Sequence, residues 1–393
     1  MTENVVLTGP LSPVNLASLL SGRDRKLAES IPGYRGATID ELVKALVERG
    51  VQVEAVTEAV EVGECMDLQG HRLRVLIAPM RPRPRDHILD LYRLERRGLL
   101  ALLRKTEGRL INAHWTYEFA WAALESGRPV LVTARDAPMT VLWYSRDAYR
   151  MLRAIMAWIV RVRTHDLSAV SPYLATSWRN QMRFRGPIAV IPNIAPASAA
   201  QSRDNGQRPR GALVAIGNSG RIKNMRALVI ALGLLRAQGH HTMLEMIGEG
   251  LGPDDPFAVE TRARGVAEGI DFRGRVGREE VAEALARNSI FVHASLEESF
   301  GNVLVEAMSA GLPVVAGIRS GAVPWVLANG HAGVLVDVRR ASEIARGIAR
   351  LLGDEDEARA LAERARHHAA RRFNPDVVCD AYLAEYDRLR RRH

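Results

Sequence analysis

Apolar and polar positions change rhythm repeatedly along the 393 residues. Short apolar runs of β type at 5–8, 51–57, 73–78, 110–113, 130–133, 167–170 and 188–191 alternate with stretches whose apolar residues recur at helical spacing. The stretch 37–49 reads as a helix closed by Gly50 and followed at once by a strand. Such alternation predicts a parallel sheet covered by helices. Residues 195–210, APASAAQSRDNGQRPR, are polar and rich in Ala, Ser, Pro and Gly, and read as a linker. Beyond them the alternation restarts, with strands expected at 212–216, 242–247, 270–272, 290–293, 314–316 and 333–336. Helices at 225–238 and 302–310 stop at Gly239 and Gly311, and further helices are expected at 341–352, 355–371 and from Asn374, with Pro375 in the first turn. Two α/β domains follow, with the cleft between them as the default ligand site.

Composition narrows the field. Apolar residues make up 47% of the chain, enough for two ordinary cores. No run of ~18 uncharged apolar residues occurs, so no membrane-spanning helix is expected. The nearest attempt, 151–162, is interrupted by Arg153 and Arg161. The opening MTENVVLTGP lacks a basic start and a long apolar run, so no secretory leader is expected. Cys65 and Cys379 make no disulfide framework and fit plain thiols in a reducing cytoplasm. The net charge of +9 is uneven: residues 81–185 carry 19 Lys+Arg against 9 Asp+Glu. That excess suits phosphates, acidic glycans or anionic lipid, or is a plain arginine-rich solvated surface. The amphipathic stretch 88–105 fits a helix flanking the sheet or one lying peripherally on the inner face of a membrane. Basic and aromatic residues do not interleave as a nucleic-acid surface would require.

The densest chemistry lies in SLEESFGNVLVEAMSAGLPVVAG, residues 295–317. Glu298 falls in the turn after a strand, and Glu306 about two turns inside the next helix. Open parallel sheets bind ligands at the carboxyl ends of their strands. The unpaired amides of the helix start favour an anion, and Gly301 allows close approach. Acid, anion hole and acid match the sugar hydroxyls, diphosphate and ribose hydroxyls of a nucleotide sugar, because carboxylates accept bidentately. A glycosidase pair is one rival. Retaining glycosidases hold their carboxyls ~5–5.5 Å apart, whereas eight helical steps of ~1.5 Å separate these backbones by ~12 Å. Two solvated surface glutamates are the plainer alternative. A second loop, Gly217-Asn218-Ser219-Gly220-Arg221-Ile222-Lys223-Asn224, also joins a strand to a helix, and Lys223 is one of only four lysines. Its ammonium can sit on a diphosphate.

Together these stretches resemble the family 4 retaining glycosyltransferases. The likeness runs in order over most of 167–390, through AVSPYLATSWR, VIPNI, GALVAIGNSGRIKNMRALVIAL, LEMIGEG, GIDFRGRVGREEV, the Glu298–Glu306 run with GLPVVAG, and RRFNPDVVCDAYLAEY. The resemblance implies an α/β chain of two Rossmann-like, doubly wound domains facing across a cleft (the GT-B type), with a C-terminal helix crossing back to the first. On that reading 1–194 plus 376–393 form the acceptor-binding domain, 195–210 the linker and 211–375 the nucleotide-sugar domain. It implies a metal-independent, retaining hexosyltransferase that needs no cofactor beyond its nucleotide-diphosphate sugar. The acceptor would be a hydroxyl group of a glycan, a lipid-linked compound or a small molecule. Glu298 and Lys223 are the implied catalytic residues, one facing the sugar and the other the phosphates. Glu306 is implied for the ribose, and Phe300, Gly301, Asn302 and Val303 for the diphosphate. Gly217, Asn218 and Arg221 complete the phosphate loop, and Arg275 and Val276 face the base. Two departures stand out: Asn218 occupies a position the family gives to a cation, with Arg221 a candidate replacement, and Trp325 stands where a glutamate is frequent.

In the first half, Gly9, Gly36, His114, Arg135 and Asp136 are the acceptor-side candidates, lying at expected strand ends or at the first helix. Arg135 replaces a histidine found in many relatives, so no general base carries over. Residues 11–32 read as a flexible acceptor lid or an ordinary loop. Asp354-Glu355-Asp356 opens a helix, where acids favour the dipole, so no metal site is expected there. Two other readings stay open: a phosphorylase-like enzyme with pyridoxal phosphate on Lys223, and a non-catalytic binder of nucleotide or membrane.

Overall fold

The protein is described by a computed structural model, in which residues 4–34, 38–83, 86–87, 90–195 and 208–392 are placed. The chain divides into two compact units, Met1–Ile194 with Pro375–His393, and Ala195–Asn374. Of the expected linker, only 195 and 208–210 are described. Arg208 donates to the carbonyls of Gly311 and Ala310 (2.9 and 2.7 Å), and Arg210 to that of Leu352 (2.6 Å).

Among the described residues the first unit holds eight strands: β1 (Asn4–Thr8), β2 (Gln52–Ala59), β3 (Met66–Gln69), β4 (Leu73–Pro79), β5 (Ile111–His114), β6 (Val130–Ala134), β7 (Asp166–Ala169) and β8 (Ile188–Val190). Their order is β3-β4-β2-β1-β5-β6-β7-β8, parallel throughout except where β3 runs antiparallel to β4. Val5, Leu7, Val53, Ala55, Val75, Ile77 and Leu131 form the buried runs expected of strands covered on both faces. The order reverses between β1 and β5, and the carboxyl ends of that pair carry Gly9 and His114.

The expectation of a flexible lid or an ordinary loop over 11–32 is corrected. Pro13–Leu16 and Gly22–Glu29 are helices, and Leu11, Leu16, Leu20 and Ile31 are buried. Asp40 ties them down, accepting from the Ser12 amide at 3.0 Å and from Asn15 Nδ2 at 2.8 Å. Burial of a leucine is worth ~1.5–3 kcal/mol, so four such side chains hold this segment to the core. The helix expected at 88–105 is observed as Arg93–Leu103, turning Leu99, Leu102 and Leu103 inward. Strand β3 has no counterpart in the sequence reading; four residues at an antiparallel edge carry too short a pattern.

The last helix, Pro375–Arg392, belongs to this unit. Val378, Cys379, Tyr382, Tyr386 and Leu389 join its core, and Asn112 Nδ2 donates to the Tyr386 hydroxyl at 2.7 Å. Arg49 pairs with Asp376 at 3.2 Å and also with Asp380.

The second unit holds β9 (Ala212–Ile216), β10 (Met243–Ile247), β11 (Ile270–Gly274), β12 (Ile290–His293), β13 (Val314–Gly317) and β14 (Val334–Val336). All are parallel, in the order β11-β10-β9-β12-β13-β14. Counted from β9 this is 3-2-1-4-5-6, whose switch point lies between β9 and β12; ligands of such sheets bind there, at the carboxyl ends. The Asp354 triplet does what the helix dipole asks: Asp354 caps Glu355–Arg372 by accepting from the Glu357 amide at 2.8 Å.

Candidate active site

The two loops at the second switch point are the two that the sequence singles out. Residues 217–224 leave β9, and 294–301 leave β12. A backbone hydrogen bond from Leu296 N to Ile222 O (2.7 Å) joins them, and Asn224 Nδ2 donates to Ala294 O and Val338 O at 3.2 and 2.8 Å. Ser320 Oγ donates to Ser295 O at 2.6 Å, and the Ala322 amide to Glu298 O at 2.8 Å. The loops are thus cross-braced by groups that would otherwise need water. A third constraint comes from Gly248, at φ +137°, where a Cβ would fall 1.5 Å from the Gly217 carbonyl oxygen.

Lys223 ends a short 3-10 turn, Arg221–Lys223, and its ammonium is ion-paired with Glu298 Oε1. The same oxygen accepts from His293 Nε2 at 3.1 Å. His293 is the last residue of β12 and is buried; its ring stacks on Phe291 at 6.1 Å. Burial alone would raise the Glu298 carboxyl, but the Lys223 charge and the His293 hydrogen bond prevail and bring it down to about 2. Glu298 is thus a fixed anion held between two donors. Both donors meet the same oxygen, Oε1.

The remaining donor-side candidates are arranged around this group. Gly301, at φ +93°, caps the helix Asn302–Ser309, whose first turn carries Asn302 and Val303 half-buried. Glu306 is half-buried in the second turn of the same helix. Phe300 points into the interior, against Phe373 at 5.4 Å and Trp325 at 6.4 Å. Its side chain therefore braces the loop, and Trp325 fills space in the same aromatic cluster, with Arg372 stacked on it at 4.6 Å. Asn218 Oδ1 accepts from the Gly220 amide at 3.0 Å, closing the turn, while Arg221 is exposed beside it. Arg275 is exposed and Val276 half-buried in the loop after β11.

In the first unit, Gly9 lies against its neighbours: a Cβ there would meet Ile39 Cδ1 at 2.6 Å and His114 Cβ at 2.9 Å. Gly36 lies outside the described residues. His114 is fully buried, and Arg135 donates to its Nδ1 at 3.0 Å through Nη2. Burial and that guanidinium push the imidazole well below 6.5. His114 is accordingly neutral, with its proton on Nε2, and is a poor proton acceptor. Arg135 also donates to Thr38 Oγ1 and, at 2.9 Å, to Asn193 Oδ1. Asp136 turns elsewhere, accepting from the Tyr117 hydroxyl at 2.7 Å. Burial raises its carboxyl.

Asp136 adjoins a cluster that sequence reasoning missed. Arg153 is buried, pairs with Glu118 at 3.0 Å and stacks on Tyr117 at 3.6 Å. Trp115 takes a left-handed φ of 69° directly after β5 and lies 5.0 Å from the same guanidinium. Glu58, at the end of β2, accepts from the Tyr34 hydroxyl at 2.9 Å. Burial and the charge of Glu118 raise Glu58 well above 4.5. Among the described residues, Thr8 Oγ1, Glu58 Oε2, His114 Nε2, Thr116 Oγ1 and Asp136 Oδ1 are buried without a protein hydrogen-bond partner, all near the carboxyl edge of this sheet. The only signal in the sequence was a polar residue closing an apolar strand, which also describes His293.

The chain can now be set beside known proteins. Residues 36–197 match the family described as Glycosyltransferase Family 4, and residues 201–368 match Glycosyl transferases group 1. The lipopolysaccharide core biosynthesis glycosyltransferase LpsE of Rhizobium meliloti is 29% identical over 168 residues, 40% of this chain and 48% of that protein. The N-acetyl-alpha-D-glucosaminyl L-malate synthase of Bacillus anthracis is 30% identical over 180 residues, 45% of this chain and 46% of that one. The matched region thus spans about half the length of these curated relatives. Among solved structures, Anabaena HepE in complex with UDP-glucose superposes with a TM-score of 0.65 over 98% of this chain and 99% of that one, at 18% identity. With one glycosyltransferase family matching each half, and with two doubly wound sheets of this kind, the chain belongs to the family 4-like glycosyltransferases of the GT-B fold.

Proposed function

We propose that this protein is a retaining, metal-independent glycosyltransferase that moves a sugar from a nucleotide-diphosphate sugar to a hydroxyl acceptor. The observation that carries the reading is the Glu298–Lys223–His293 group, held at the β9/β12 switch point beside the start of the helix Asn302–Ser309. A diphosphate placed there meets helix amides and the Lys223 ammonium. A sugar beyond it meets the free oxygen of an ionised carboxylate. Glu306 and the loop residues Arg275 and Val276 are assigned to the ribose and the base. The HepE structure holds UDP-glucose on the same fold, which supports a donor of that class.

The chemistry follows from the charges. Glycosidic cleavage builds positive charge on the anomeric carbon and negative charge on the departing phosphate. Glu298, ionised down to about pH 2, opposes the first, and Lys223 with the amides of 300–302 opposes the second. On the front-face route the departing phosphate oxygen takes the acceptor proton, so no side chain need serve as general base. That suits a chain in which Arg135 holds His114 neutral and occupies its Nδ1.

His293 is a positioning residue on this reading. It fixes Oε1 and leaves Oε2 for the sugar. The test is direct: purified protein is offered a panel of nucleoside diphosphates and nucleotide sugars in thermal-shift and transfer assays, with and without EDTA. One base should be preferred, the new bond should keep the donor's anomeric configuration, and EDTA should change nothing. Glu298→Ala should abolish transfer while the protein remains folded. Inversion of configuration, or transfer that survives Glu298→Ala, would defeat the assignment.

A further inference from the structure

The helices Pro138–Ser145 and Ala148–Arg163 pack against one another in the first unit. The longer one is apolar on two opposite sides. Leu152, Met156 and Val160 face the interior. Met151, Ile155, Trp158 and Val162, spaced as i, i+4, i+7 and i+11, form a second stripe that is 42–61% exposed. On the neighbouring helix, Met139 is 41% and Trp143 68% exposed. These six are over a third of the 17 large apolar side chains exposed among the described residues, and they lie within 24 consecutive positions. Water has no use for such a stripe, and its concentration marks a docking face.

The charge around it says what docks. Arg146, Arg150, Arg161 and Arg163 lie in the same two helices or the turn between them, against one exposed acid, Asp147, which caps the longer helix through the Arg150 amide. Glu125 is taken by Arg96 and Arg163. The one cation turned inward, Arg153, is spent on Glu118. Arg146 stands over the Trp143 ring at 4.7 Å and Arg161 over Trp158 at 5.4 Å, so cation and indole are presented side by side. Tryptophan and arginine over an apolar stripe are what the headgroup layer of an anionic bilayer accepts. No helix among the described residues is long and apolar enough to cross a membrane. We infer that this helical pair seats the protein on an anionic lipid surface, lying in the interface rather than spanning it. The inference stands apart from the donor-site reading.

Flotation with phosphatidylglycerol–phosphatidylcholine vesicles, against phosphatidylcholine alone, tests it. The protein should float with the anionic vesicles only, and lose binding as salt rises toward ~1 M, where the Debye length is ~3 Å. Arg146→Glu with Arg150→Glu should weaken binding by about tenfold or more, at ~1 kcal/mol per arginine removed and further repulsion from the added acids. Trp143→Ser with Ile155→Ser should do so independently, with unchanged far-UV circular dichroism. Failure to float with anionic vesicles overturns the inference, as does equal binding by both double variants. So does a wild-type dimer that the Trp143→Ser/Ile155→Ser variant dissolves, since the stripe would then be covered by a second copy.

Discussion

Replacing Glu298 with Gln keeps the shape of the side chain and removes its charge, so its effect measures what the Lys223–Glu298–His293 group contributes. Glu298 is 13% exposed, and its carboxyl lies at about 2 against an ordinary 4.5. That lowering, at ~1.36 kcal/mol per pH unit, corresponds to about 3 kcal/mol at neutral pH. That agrees in size with the ~1.5–3 kcal/mol expected of a hydrogen bond to a charged group, of which Glu298 Oε1 accepts two. The folded-state carboxyl is depressed, so its contribution is complete above the unfolded value and disappears as pH falls through the folded one. At pH ~3.5 the same linkage leaves about 2 kcal/mol. Glu298→Gln should therefore cost about 2–3 kcal/mol at pH ~7, because the amide oxygen retains part of the His293 hydrogen bond, and about 1 kcal/mol less at pH ~3.5. Of six tryptophans, only Trp325 falls in the second unit. In fluorotryptophan-labelled protein its fluorine resonance, assigned with Trp325→Phe, follows urea unfolding of that unit alone. A penalty that is the same at both pH values, or absent at neutral pH, would mean that the charge on Glu298 is not held by its neighbours.

Three further outcomes are expected. Lys223→Met should lower kcat/KM by ~10–100-fold, the worth of one charged hydrogen bond, with the melting temperature of the first unit unmoved; unchanged transfer would remove Lys223 from the site. Glu58 is raised by burial and by Glu118, so wild-type stability should fall as pH rises above ~4.5, by up to about 1.4 kcal/mol per unit, relative to Glu58→Gln measured in parallel denaturations; a constant difference between the two proteins would show that Glu58 titrates normally. Gly248→Ala drives a Cβ onto the Gly217 carbonyl and should destabilise the second unit by more than ~3 kcal/mol, seen as loss of the Trp325 transition at low urea; a folded variant with full donor binding would contradict the packing.

Much of this arrangement is legible in sequence because strand ends are. Lys223 and Glu298 are 75 positions apart, yet each follows an apolar run and opens a helix, and the 3-2-1-4-5-6 order of parallel sheets makes those two runs neighbours. His293, Glu58 and Arg153 escape the same reading for a physical reason. A polar residue closing a strand looks like the start of a loop, and only the sheet order shows that His293 Nε2 reaches Glu298. Arg153 looks like an interruption of an apolar stretch, whereas its guanidinium turns inward to Glu118 and leaves Met151, Ile155, Trp158 and Val162 as an unbroken outer stripe. The lid or ordinary loop read at 11–32 fails because Leu11, Leu16, Leu20 and Ile31 sustain no helical or strand period, and only tertiary packing reveals that they are buried. The resemblance implies Phe300 for the diphosphate, and the aromatic partner that turns its side chain inward, Phe373, is 73 residues further on.

The two sheets end in glutamates that have been driven in opposite directions, and the cause is how the nearby cation is spent. At the carboxyl edge of the second sheet, the Lys223 ammonium goes to Glu298, which stays ionised although it is nearly buried. At that of the first sheet, the Arg153 guanidinium goes to Glu118 and to the faces of Tyr117 and Trp115. Among the described residues Glu58 has only the Tyr34 hydroxyl, so burial wins and its carboxyl is raised. One edge therefore carries a standing pair of opposite charges that a phosphate can divide, taking the ammonium while the carboxylate keeps His293. The other carries a closed Arg153–Glu118 pair and, among the described residues, several buried polar atoms without a protein hydrogen-bond partner.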